Sequence, residues 1–284
     1  MNPTTHAFKV GLRRGWRATV LSMKSPQDQV FYVVMAVGVL VYMFWNRNAD
    51  MGDSGLTFPQ YALPSMLAGL IVFSLVMGPA YELTLEREDG TLLRAKTLPR
   101  GMLSYTVGQV VYNSLGLVPM LVIILIPSFI MFDGVAPAEA SGWLRIGGFI
   151  LLGLIALLPL GIILGAVVPN AQKVGTWGMM PVVILSITSG ALFPIQQLWG
   201  WVQGIAQVFP VYWLGLGLRS GFLPEEAAAW ELHGSWLTTL SVGVLLGWAA
   251  LGLVVAPRVL SRMAKRQSGS AMQEAKEQAG QWIK

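Results

Sequence analysis

Residues 146–168 read IGGFILLGLIALLPLGIILGAVV. The run holds no Asp, Glu, Lys, Arg or His and is 23 residues long. A helix rises about 1.5 Å per residue and the hydrocarbon core of a bilayer is about 30 Å thick, so about 20 apolar residues suffice to cross it. Such a stretch has no place on the surface of a soluble domain. Its reading as a membrane span sets the terms for the rest of the chain.

Five further runs share the pattern: 30–45, 61–81, 105–132, 174–193 and 236–256, all without a charged residue or histidine. The run 30–45 is short and draws on Gln29 and its neighbours; 105–132 is long and carries Pro119 and Pro127, which predict a kink, tilt or break. Composition agrees. Of the 284 residues 54% are hydrophobic and 12% charged, against about 25% charged in ordinary soluble domains. No small-residue cleavage site follows the first run, so it is expected to stay as a span rather than leave as a signal peptide.

Charge placement sets the orientation. With six spans and a cytoplasmic N-terminus, every basic residue except Arg47, Arg145 and Arg219 falls on the cytoplasmic side. The net charge of +5 is therefore a topology signal, and it predicts no nucleic-acid partner. A seventh uncharged stretch, 198–218 (LWGWVQGIAQVFPVYWLGLGL), would reverse the C-terminal basic cluster if it spanned. It also carries Gln203, Gln207, Pro210 and several glycines, which suit a bent re-entrant hairpin on the outer face within an outer region 194–235. Trp45, Trp143, Trp199, Trp201, Trp230 and Trp236 fall at or beyond outer span ends, where indole rings prefer the headgroup level; Trp177 and Trp248 do not.

Residues 1–29 precede the first span. Within 5–25, Phe8, Leu12, Trp16, Val20 and Met23 share one helical arc, with Arg13, Arg14, Arg17 and Lys24 on the next. That pairing of stripes predicts a helix lying on an anionic membrane surface. After the second span comes a charged segment, Glu82 to Met102. The second helix is expected to run through Glu86, turn at Asp89-Gly90, and restart as a short helix from Thr91 to Leu98, ended by Pro99. Residues 258–284 continue the last helix briefly and then form a cytoplasmic tail.

Several chemistries lack their residues. There is no cysteine, hence no disulfide or thiolate metal site. The dipeptide Gly-Lys of a phosphate-binding loop is absent. The two histidines, His6 and His233, are far apart in sequence and match no metal-ligand spacing. The spans carry no ionisable group of the kind that ion-coupled carriers place at membrane depth. Energy for uphill movement is therefore expected from outside the chain.

Two segments resemble a known family. LEREDGTLLRAKTLPRG (85–101) is similar to the acidic-Gly-Thr-Leu segment after span 2 in the membrane subunits of ABC-2 type transporters, in particular the daunorubicin-resistance-like bacterial drug exporters. SGALFPIQQLWGWVQGIAQVFPVYWLGLGLR (189–219) is similar to the family's span-5 end and outer re-entrant segment, although Trp199 stands where many members have Pro. The resemblance implies an all-α fold of six transmembrane helices with an N-terminal interfacial helix, a cytoplasmic coupling helix and an outer re-entrant hairpin, in the bacterial inner membrane with both termini cytoplasmic. It implies a permease that pairs with a second permease, the same or a related chain, above two copies of an ABC ATPase. ATP and Mg are then held by the ATPase, and this chain itself carries no cofactor and no catalytic residue.

The resemblance further implies that Glu86, Glu88, Asp89, Gly90, Thr91, Leu92 and Arg94 face the ATPase. A substrate pathway along spans 2 and 5 would draw on Met66, Phe73, Met77, Met180, Ile184 and Thr188, adaptable apolar surfaces suited to hydrophobic or amphipathic small molecules and lipid. Phe193, Pro194, Trp199, Trp201 and Pro210 would form an outer gate. Alternatives to a drug-like substrate are a lipid-linked or polysaccharide substrate; from other classes, a membrane-embedded enzyme or a channel.

Overall fold

The computed structural model describes residues 2–266, apart from 50, 53–54, 99 and 192–193. The described residues are helices and connecting loops, with no strand among them. Beyond residue 266 the expected tail lies outside the described residues.

Helix α1, Pro3–Lys24, starts where the Asn2 side chain accepts the Thr4 N–H at 3.1 Å. Its buried residues are Ala7, Gly11, Gly15 and Thr19, one every fourth position. They pack on α5 (Gly101–Met131) so closely that a Cβ on Gly15 would lie 2.6 Å from the Gly108 carbonyl oxygen. This is backbone-to-backbone contact of the kind small residues permit between helices. The stripe of Phe8, Leu12, Trp16 and Met23 is exposed, which leaves it available to lipid. Gly15→Leu is expected to lift α1 from α5. Limited trypsin digestion at Arg13 and Arg17 checks this, with cleavage several-fold faster than in the wild type.

Ser25 closes α1 and opens α2, Pro26–Trp45, its hydroxyl accepting the Asp28 N–H. Helix α3, Phe58–Glu88, is the central pillar and is buried along most of its length. Its 31 residues reach about 46 Å at about 1.5 Å per residue, well past the ~30 Å a membrane core requires. It therefore carries 82–88 out beyond the expected span 61–81. Asp89 and Gly90 turn the chain into α4, Thr91–Thr97, and Leu98 is already extended, as the residue before a proline prefers to be. Helix α5 begins at Gly101, four residues before the expected span, and runs through Pro119 and Pro127 without a break. Helix α6, Ala140–Val167, includes Arg145 at its start.

The expected span 174–193 differs most. Residues 171–191, here α7, form a chain of short pieces. An α-helical turn at Ala171–Lys173 leads into a π turn at Val174–Gly178; an α segment at Met179–Ser186 leads into a second π turn at Ile187–Ala191. Pro181 supplies a reason for the first irregularity: it has no N–H for the carbonyl four residues back, and its ring crowds that carbonyl. In the second, Gly190 has φ 89°, outside helical geometry. Among the described residues five helices are long and apolar enough to cross a membrane: α2, α3, α5, α6 and the last, α10 (Thr238–Arg266).

The segment expected on the outer face folds as a 3-10 turn at Ile195–Gln197, α8 (Gly200–Val208), α9 (Pro210–Phe222) and a second 3-10 turn at Glu225–Trp230. Phe209, extended ahead of Pro210, makes the bend. Helix α9 is buried from end to end and packs against α3, α6 and α10, so the second limb of the expected hairpin is a core element.

Candidate functional site

The end of α3, the turn and α4 form a junction of many elements. Leu92 of α4 is fully buried and lies in a small apolar cluster with Leu83, Ala95, Tyr105 and Met263, separate from the main core. This seats α4 on α3, α5 and α10. Gly90 is buried at φ 80°, a left-handed turn that side chains with a Cβ disfavour. Asp89 Oδ1 accepts the Thr91 N–H at 2.8 Å and so starts α4.

The charged residues before the turn point three ways. Arg14 of α1 meets Glu86 at 2.5 Å, and its guanidinium lies 5.0 Å from the Tyr105 ring centre; Gln109 reaches the other Glu86 oxygen at 3.5 Å. Arg87 donates to the carbonyls of Gly165 at 3.3 Å and Val168 at 2.7 Å, and to that of Pro169. Glu88 Oε1 accepts the N–H of Ala171 at 2.8 Å. Of the seven residues expected to face a partner, Gly90 and Leu92 are buried within the chain, and Glu86 is half-buried and tied to α1 and α5. Exposed surface here comes from Glu88, Asp89 and Arg94, with Thr91 half-buried.

A family model described as ABC-2 type transporter matches residues 6–223, from α1 to the end of α9. The chain belongs to the ABC-2 type transporter family. A search of curated proteins found no match. Family membership and the five long apolar helices make it an integral, multi-pass membrane protein and a permease component of an ABC transporter.

The residues expected along a pathway divide. Met180 and Ile184 are exposed and Thr188 half-buried, four residues apart along α7, and Trp177 in the first π turn is exposed as well. On α3, Met66 and Phe73 are half-buried against the core, whereas Met77 is buried at 7% exposure within the single chain. Met77 packs α3 into the main core of the single chain. In the segment before α9, Trp199 and Trp201 are exposed and stacked, ring centres 6.0 Å apart. Pro194 is half-buried; Phe193 lies outside the described residues. Pro210 is buried as the first residue of α9, where its fixed φ and missing N–H suit a helix start.

The largest surprise in the ABC-2 permease is Arg219, read from sequence as an outer-face topology charge. It is fully buried on α9 and forked to Glu231 at 2.5 and 3.0 Å. Ser65 Oγ of α3 lies 3.3 Å away, and the Tyr61 ring centre 5.5 Å. This joins α9, the following loop and α3 through a charge pair at the far end of α3 from Glu86. No spacing signal relates Arg219 to Glu231. Arg87 lay inside the quoted segment 85–101, and its alternation of charges was the available hint.

Proposed function

We propose that this chain is the transmembrane permease subunit of an ATP-driven exporter that moves hydrophobic or amphipathic compounds, drug-, antibiotic- or lipid-like, out of the cell. It sits in a bacterial inner membrane with six spans, α7 being the fifth, and with both termini in the cytoplasm. It pairs with a second permease, identical or related, and two separate ATPase subunits dock beneath, holding ATP and Mg between them. The observation that supports this is the α3–α4 junction. A helix too long for the membrane ends in a capped turn and a short helix locked to its neighbours by Leu92, Glu86, Arg87 and Glu88. Such a rigid projection transmits force, while exposed Asp89 and Arg94 supply charges that set register on a partner. The aliphatic spans and the exposed Met180 and Ile184 suit apolar cargo rather than a polymer.

The test is to tag the permease, extract it gently from native membranes and identify what is retained. An ATPase bearing a phosphate-binding loop, near one copy per permease, is the expected result. A well-folded permease that retains no ATPase in several mild detergents would defeat the proposal.

A further inference from the structure

Arg87 and Glu88 are neighbours in sequence yet hold opposite sides of one turn. The Arg87 guanidinium binds the carbonyls of Gly165, Val168 and Pro169, the end of α6. Glu88 binds the N–H of Ala171, the first residue of α7, and Asn170 Oδ1 accepts the Lys173 N–H at 2.8 Å. Terminal carbonyls of a helix lack partners and carry partial negative charge, and the first N–H groups carry the reverse. A cation on the first set and an anion on the second therefore complement both helix ends at once. Thr84 of α3 adds a hydroxyl 3.3 Å from the same Gly165 carbonyl.

From this geometry we infer that Arg87 and Glu88 are positioning residues that transmit movement of the α3–α4 junction to α7. The inference rests on the exporter reading above and names the route by which its drive reaches the membrane. Helix α7 is built to respond. Its first π turn, Val174–Gly178, begins three residues after the Glu88 contact. A π turn holds an extra residue, so its conversion to α-helix rotates everything downstream by about 100°. That rotation would re-aim the exposed face of Met180 and Ile184. The second irregular point, Gly190 at φ 89°, lets the α segment between them turn without dragging the outer region along.

The test uses the intact complex of permease and ATPase in lipid nanodiscs. The natural chain has no cysteine, so Met180→Cys carries a single environment-sensitive fluorophore. Mg-ATP is the only added ligand, and the emission change is read per ATP hydrolysed, which divides out any altered docking. The unmodified junction is expected to give an ATP-dependent change. Arg87→Ala is expected to reduce it at least fivefold with the ATPase still bound. Glu88→Ala should reduce it likewise, whereas Glu88→Gln, which keeps a carbonyl acceptor for the Ala171 N–H, should retain most of it. A wild-type response in Arg87→Ala would overturn the inference, as would equal losses in Glu88→Gln and Glu88→Ala. If the unmodified permease binds no ATPase, the exporter reading itself fails, a result visible before any fluorescence is recorded.

Discussion

Arg219→Ala is expected to destabilise the permease by about 3–5 kcal/mol, because it leaves a buried carboxylate without its partner. Arg219 is 0% and Glu231 3% exposed at the side chain, so water cannot solvate what remains. The apparent melting point in detergent should fall on the order of 10 °C, with much of the protein aggregated on size exclusion. Replacing both partners is a different matter. Desolvating two charges offsets most of their attraction, and apolar replacements of similar volume are often neutral. Arg219→Met with Glu231→Leu should therefore recover most of the stability that either single change loses. Equal melting points for the wild type and Arg219→Ala would show that the pair contributes nothing to the fold.

Gly90→Val should separate the permease from its drive. A non-glycine residue in the left-handed region costs about 1–2 kcal/mol, and a β-branched side chain fares worse. Gly90 is buried at φ 80°, so the turn has little room to relax. The cheaper response is to shift α4 and pull Leu92 from its small cluster, which is separate from the main core. ATPase retained per permease should fall at least tenfold in a pull-down, while the permease stays monodisperse. Gly90→Asn, better tolerated in this conformation, should lose much less. Normal retention by Gly90→Val would place the ATPase contact elsewhere.

The parts of the fold legible in the sequence were those written in hydropathy and turn chemistry. The uncharged run 146–168 lies within α6 but for its last residue, and Asp89-Gly90 marks the turn before α4. Other features left weaker traces. The face that holds α1 consists of Ala7, Gly11, Gly15 and Thr19, and small residues add almost nothing to an apolar pattern. The stripe that did stand out, through Phe8 and Trp16, is the one left exposed. Hydropathy treats α7 as a continuous span because π turns do not change composition; only Pro181 and Gly190 hinted at breaks. Met77 and Met180 could not be told apart, since spans apolar all round carry no facing signal; packing buries one and exposes the other. Arg219 shows the limit most plainly. Its partner is twelve residues away across a loop, and only the folded arrangement brings them together.

The central claim is that the α3–α4 junction docks an ATPase, and site-directed cross-linking tests it most directly. In the naturally cysteine-free chain, Arg94→Cys places one thiol on the exposed side of α4, and Trp201→Cys places one on the exposed side of α8, the helix expected on the opposite face of the membrane. With a short thiol–amine cross-linker in native membranes, Arg94→Cys is expected to trap an ATPase subunit, with a yield that changes when Mg-ATP is added. Trp201→Cys is expected to trap none. Absence of an ATPase adduct at Arg94, or equal adducts at both positions, would contradict the account.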